Sequence, residues 1–121
     1  MTGGRVLCAS ADLVERGKAV VFDVLEYGRP ASAFAVRYEG RVVGYLNRCA
    51  HVPSEMDWVS GEFFDITRQW LICATHGALY EPTSGVCVRG PCVRGRLVPV
   101  RVEEREGQVY WYPDGPIQPV S

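Results

Sequence analysis

Two short segments, Cys49-Ala50-His51 and Cys73-Ala74-Thr75-His76, contain both histidines of the chain and two of its five cysteines. Nothing else in the sequence constrains the fold as tightly. One Cys near one His reads equally well as core packing, because cysteine behaves as a small apolar side chain. Two such pairs, with 21 residues between His51 and Cys73, put two thiolates and two imidazoles on a pair of turns. That is a ligand set for Zn²⁺ or for a [2Fe-2S] cluster. Zinc arms commonly pair like with like, whereas each arm here is mixed. A two-iron centre accommodates mixed arms: one iron takes both cysteines and the other both histidines.

The flanking sequence reads as strands. Val20 to Leu25, Ala33 to Tyr38 and Arg41 to Leu46 are rich in β-branched and aromatic residues, and Glu39-Gly40 is a hairpin turn between the last two. Leu97 to Glu103 and Gln108 to Tyr112 flank a second hairpin signal, Arg105-Glu106-Gly107. The alternation of Val98, Val100 and Val102 predicts one buried face. Ala9 to Gly17 offers the one helical turn, with Ser10 or Asp12 as cap. Residues 47 to 96 are rich in Gly, Pro and Cys without regular periodicity. A bound metal centre can hold such a loop-rich stretch together.

At 121 residues the chain is expected to be one domain, 1–121, with residues of about 47–96 as a ligand-binding subdomain. It carries 47% hydrophobic and 22% charged residues and a net charge of −1, which argues against nucleic acid as a partner. No secretory apolar region and no run of about 18 apolar residues is present, so no membrane partner and a cytoplasmic location are expected. In a reducing compartment, an odd number of cysteines suits a metal site better than a disulfide framework.

At this point the residues resemble the Rieske iron-sulfur family. The resemblance runs beyond the Cys and His pairs through His76-Gly77-Ala78-Leu79-Tyr80-Glu81-Pro82, Gly85, Gly90-Pro91 and Leu97-Val98-Pro99-Val100, over roughly residues 20–112. It implies a mainly β fold, an antiparallel sandwich or barrel-like body with a small loop-rich cluster-binding subdomain. It also implies one [2Fe-2S] cluster, with Cys49 and Cys73 on the inner iron and His51 and His76 on the outer one. By the same resemblance Gly77 lets the backbone turn beside the cluster, where N–H groups can reach its sulfurs. Tyr80 matches a tyrosine that donates to a cysteine sulfur, and Gly90-Pro91 looks like the proline-containing loop covering the cluster.

Two departures narrow the resemblance. High-potential members carry a further cysteine in each loop, joined as a disulfide; the matching positions here are Ser54 and Thr75. They also have a serine two residues after the second His, where this chain has Ala78. The first points to the ferredoxin-like, oxygenase-associated branch, and the second, the loss of a donor, to the lower half of the family's range of about −150 to +300 mV. Ionisation of the outer imidazoles would make the potential fall as pH rises.

The resemblance implies one-electron transport by a ferredoxin, from a flavin reductase to a terminal oxygenase. With both histidines assigned to the cluster, these residues hold no 2-His-1-carboxylate iron site and no histidine-based hydrolytic mechanism. The protein is therefore expected to carry electrons rather than catalyse by itself. Alternatives are the small subunit of an assimilatory nitrite reductase, a zinc-binding structural module, or a redox sensor using Cys87 and Cys92. Those two cysteines read as small packing residues, or else as a local disulfide or reactive dithiol, and Cys8 as an isolated thiol. The gap between the ligand pairs is longer than most of the family shows. Its extra length is expected around Trp58 to Asp65, as a small packed hairpin or an exposed docking surface.

Overall fold

The computed structural model describes residues 4–49, 55–57, 59–74, 77–90 and 95–120. Among them lie ten strands: β1 Arg5–Ala9, β2 Val20–Glu26, β3 Arg29–Tyr38, β4 Arg41–Leu46, β5 Leu71–Ile72, β6 Leu79–Tyr80, β7 Cys87–Arg89, β8 Arg101–Arg105, β9 Gln108–Tyr112 and β10 Ile117–Gln118. Three turns, Tyr27-Gly28, Glu39-Gly40 and Glu106-Gly107, set the architecture. Each has positive φ at both positions (51° and 78°, 51° and 78°, 52° and 79°), as two-residue turns of type I′ require. They fold β2, β3, β4 and then β8, β9 back on one another. The sheets run in the orders β10-β2-β3-β4, β1-β9-β8 and β5-β6-β7, with every ladder antiparallel. The expected antiparallel β class therefore holds.

Three local expectations are corrected. Leu97 to Glu103 is not one strand: residues 97–100 follow β4, and the ladder to β9 begins at Arg101. Leu46 N donates to Val98 O at 2.8 Å, and Val100 N to Gly44 O at 3.0 Å. Gly44 permits this crossing, since a Cβ there would stand 2.9 Å from Val100 Cγ2 and 3.0 Å from Val102 Cγ1. Val98 is consequently exposed, while Val100 and Val102 pack in the core. Within Ala9 to Gly17 only Ser10–Asp12 forms a helical turn, of 3-10 type, and no side chain caps it. The residues before it form β1, paired with β9 through a bulge between Val6 and Cys8.

The interior has two centres. Val24, Ala33, Leu46, Val100, Trp111 and Ile117 fill one, between the two larger sheets. Phe34, Val36, Tyr45 and Leu97 continue into the other, which also contains Cys49, Met56, Phe63, Leu71, Cys73, Ala78, Tyr80 and Cys87. The loop-rich segment is thus packed on the body by a shared core. Arg37 of β3 ties the N-terminal turn to β8. It donates to Leu13 O at 2.7 Å and Ser10 O at 3.2 Å, and makes a two-pronged ion pair with Glu104 at 2.9 and 2.6 Å. No helix among the described residues is long and apolar enough to cross a membrane.

Candidate metal centre

Cys49 leaves the end of β4 and Cys73 leaves the end of β5, and both side chains are buried in the same core. The second arm is closed by backbone bonds: Cys73 N donates to Ala78 O at 2.9 Å, and Gly77 N donates to Cys73 O at 2.7 Å. Gly77 has φ +73°, a conformation glycine adopts without strain. Its N–H is directed to the Cys73 carbonyl, so this residue shapes the arm. The two arms meet at Met56, whose carbonyl accepts from Ala74 N at 2.8 Å.

Tyr80, fully buried in β6, places its hydroxyl 3.4 Å from Cys49 Sγ. Against a thiolate only the hydroxyl can donate, and such a bond stabilises negative charge on sulfur. Gly90 has φ +106°, and a Cβ there would lie 2.8 Å from Ala78 Cα. That glycine lets the chain at Gly90 approach Ala78, at the end of the Cys73 arm, at backbone distance. His51, His76 and Pro91 lie outside the described residues, as do Ser54, Trp58, Thr75 and Cys92. The structure therefore brings together Cys49, Cys73, Gly77, Tyr80 and Gly90.

Three residues not singled out from the sequence support this arrangement. The side chain of Asn47, 6% exposed, accepts from Met56 N at 2.8 Å and donates to Asp57 Oδ1 at 2.8 Å. An Asn at a strand end is a turn signal, and that is the available hint. Tyr45 donates to Pro82 O at 2.7 Å and packs over Gly85, where a Cβ would meet its ring at 2.7 Å. Burial, reinforced by the charge of Glu81, pushes the Tyr45 phenol up to about 12. Met56 carries no sequence signal of its role.

The long gap between the arms is partly core and partly surface. Phe63 is buried and stacks on Phe34, with ring centroids 3.7 Å apart. The hairpin runs later than expected, from Phe64 to Leu71, because Asp65 organises its turn by accepting from Thr67 Oγ1, Gln69 N and Trp70 N. Ile66 at its tip is 98% exposed. Cys87 is a buried free thiol whose Sγ donates to Arg89 O. Cys8 lies in β1, where burial and then Asp12 push its thiol above the ordinary value, leaving little thiolate to react.

Two buried sulfurs on linked arms, with a hydroxyl at one of them, fit the thiolate half of a two-iron centre. The family model for the Rieske [2Fe-2S] domain matches residues 5–114, and the chain belongs to that family. It carries one [2Fe-2S] cluster per chain. No curated protein matches it in sequence. Among solved structures, the ferredoxin of carbazole 1,9a-dioxygenase from Nocardioides aromaticivorans IC177 is similar, with a TM-score of 0.72 at 19% identity, covering 93% of this chain and 100% of that one. A chain in the complex of reduced oxygenase and oxidised ferredoxin in carbazole 1,9a-dioxygenase has a TM-score of 0.67 at 20% identity, covering 89% and 91%. The terminal oxygenase from the same Nocardioides strain has a TM-score of 0.67 at 20% identity. The match covers 98% of this chain but 32% of the oxygenase.

Proposed function

We propose that the chain is a one-electron carrier of the ferredoxin type, receiving electrons from a flavin reductase and passing them to a terminal oxygenase. Cys49 and Cys73 hold one iron, and His51 and His76 hold the other. The bound cluster supplies a one-electron couple, made accessible because two neutral imidazoles leave it less negative than four thiolates would. The protein's own part is to bury the two sulfurs, keep the arms fixed as the charge changes, and donate from Tyr80 to Cys49. The observation that carries this reading is the burial of Cys49 and Cys73 in one core with their arms joined at Met56. It is supported by the likeness over the whole length of the ferredoxin of carbazole 1,9a-dioxygenase.

Electron paramagnetic resonance of the dithionite-reduced protein, with iron and acid-labile sulfide content, tests the ligand set. The wild type is expected to give a rhombic signal with about two irons and two sulfides per chain. Cys49→Ala and His76→Ala are each expected to abolish that signal. Rapid mixing of reduced protein with an oxidised Rieske oxygenase tests the carrier role, and failure to transfer to any such oxygenase contradicts it.

A further inference from the structure

Asn47 is the buried polar residue among the described core side chains, and both ends of its amide are used. Its backbone N–H donates to Ser32 O at 2.9 Å, which anchors it to β3. From there the contacts continue without a break. Asn47 Oδ1 accepts from Met56 N at 2.8 Å, and Met56 O accepts from Ala74 N at 2.8 Å. On the other side, Asn47 Nδ2 donates to Asp57 Oδ1 at 2.8 Å, and Asp57 Oδ2 accepts from Gly61 N at 3.0 Å. Asn47 stands two residues before Cys49, and Ala74 one residue after Cys73.

We propose that Asn47 and Asp57 form a clasp at the neck of the first ligand segment, and that through the Met56 peptide this clasp sets the separation of Cys49 and Cys73. They are positioning residues: neither binds iron, and both act through the backbone that carries the thiolates. The inference rests on the assignment of Cys49 and Cys73 as ligands. Asn suits the position chemically because the neck needs one acceptor, for Met56 N, and one donor, for Asp57. The Asn47→Asp change would keep the acceptor and set two carboxylates against each other. Exchanging the pair restores the pattern. The carboxylate introduced at position 47 then accepts from Met56 N and from the amide introduced at position 57, whose own carbonyl accepts from Gly61 N.

The test compares wild type, Asn47→Asp, Asp57→Asn, the exchanged double variant, Cys49→Ala and Arg37→Ala, each expressed and purified under identical iron- and sulfide-replete conditions. Iron and sulfide content, the reduced-state resonance linewidth and the rate of cluster loss to excess chelator are measured at one pH. Partners that orient metal ligands typically govern affinity about 10- to 100-fold. Asn47→Asp is therefore expected to lose the cluster roughly tenfold faster and with a broadened signal. The double variant is expected within about twofold of wild type on both readouts. Arg37→Ala weakens the body away from the arms and is expected to leave the loss rate within about twofold.

A double variant no better than Asn47→Asp overturns the clasp, as does Asn47→Asp behaving like wild type. Arg37→Ala accelerating loss as much as Asn47→Asp also overturns it, because loss then follows global stability alone. If Asn47→Asp is recovered without a cluster, recovery of a loaded double variant supports the clasp and its failure overturns it. Cys49→Ala retaining a full cluster overturns the ligand assignment instead, and separates that failure from failure of the clasp.

Discussion

Two buried tyrosine hydroxyls divide the work at the site. Tyr80 lies 3.4 Å from Cys49 Sγ, whereas Tyr45 donates to the carbonyl of Pro82. Removing the first changes how well negative charge is tolerated on sulfur. Tyr80→Phe is therefore expected to lower the reduction potential by roughly 40 mV, about 1 kcal/mol for a one-electron couple. Protein-film voltammetry reads this directly, and an unchanged potential contradicts the donor role. Removing the second leaves Pro82 O without its partner, so Tyr45→Phe is expected to cost about 1–2 kcal/mol in urea unfolding with little change in potential. The Tyr45 phenol ionises at about 12 when folded against an ordinary value of 10. Its contribution to stability is complete below pH 10 and drains as pH climbs towards 12. Tyr45→Phe is expected to flatten that part of the alkaline stability profile.

The strands and turns show why some elements are readable from sequence and others are not. The bodies of β2, β3, β4 and β9 are long apolar runs ended by Gly-containing turns, so propensity and turn chemistry agree there. β5, β6, β7 and β10 span only two or three residues each and carry no period to detect. Their pairing depends on contacts such as Leu71 with Tyr80, which no local pattern announces. The Cys49 and Cys73 arms, proposed to carry the ligands, are legible because ligand chemistry imposes spacing. Asn47 and Met56 are not, because bonds between separate segments leave no such pattern. The same holds for Arg37, whose ion pair spans β3 and β8. Its guanidinium holds the Glu104 carboxyl at about 2, below the ordinary 4.5. Stability from that pair is complete above pH 4.5 and is lost as pH falls towards 2. Glu104→Gln is expected to be less stable than wild type at pH 6 but to lose less on acidification to pH 3, as urea midpoints at the two pH values will show.

Across the whole molecule, the two core centres respond differently to removal of the cluster. One centre, around Val24, Leu46, Val100 and Trp111, is enclosed by the larger sheets and includes none of the proposed ligands. The other contains Cys49 and Cys73 themselves, and rests on Phe34 and Tyr45 of the body on one side and on β5, β6 and β7 on the other. Those three strands offer only a few ladder bonds, so their order is expected to depend on the proposed ligand arms being held by the cluster. The longer strands have continuous pairing from Val20↔Ala35 to Glu26↔Arg29 and from Arg101↔Tyr112 to Arg105↔Gln108. Stripping iron and sulfide with acid and chelator, then returning to neutral pH, is expected to leave the amides of β2, β3, β8 and β9 protected from hydrogen exchange. Amides of Ile72, Cys73 and Tyr80 are expected to exchange at least roughly tenfold faster than in the loaded protein, read by nuclear magnetic resonance on both forms. Uniform loss of protection across all sheets would show a single cooperative unit that requires its cluster to fold. Uniform retention would show that the arms are held by protein contacts alone, with the Asn47 and Met56 bonds sufficient to keep the ligand segments in place.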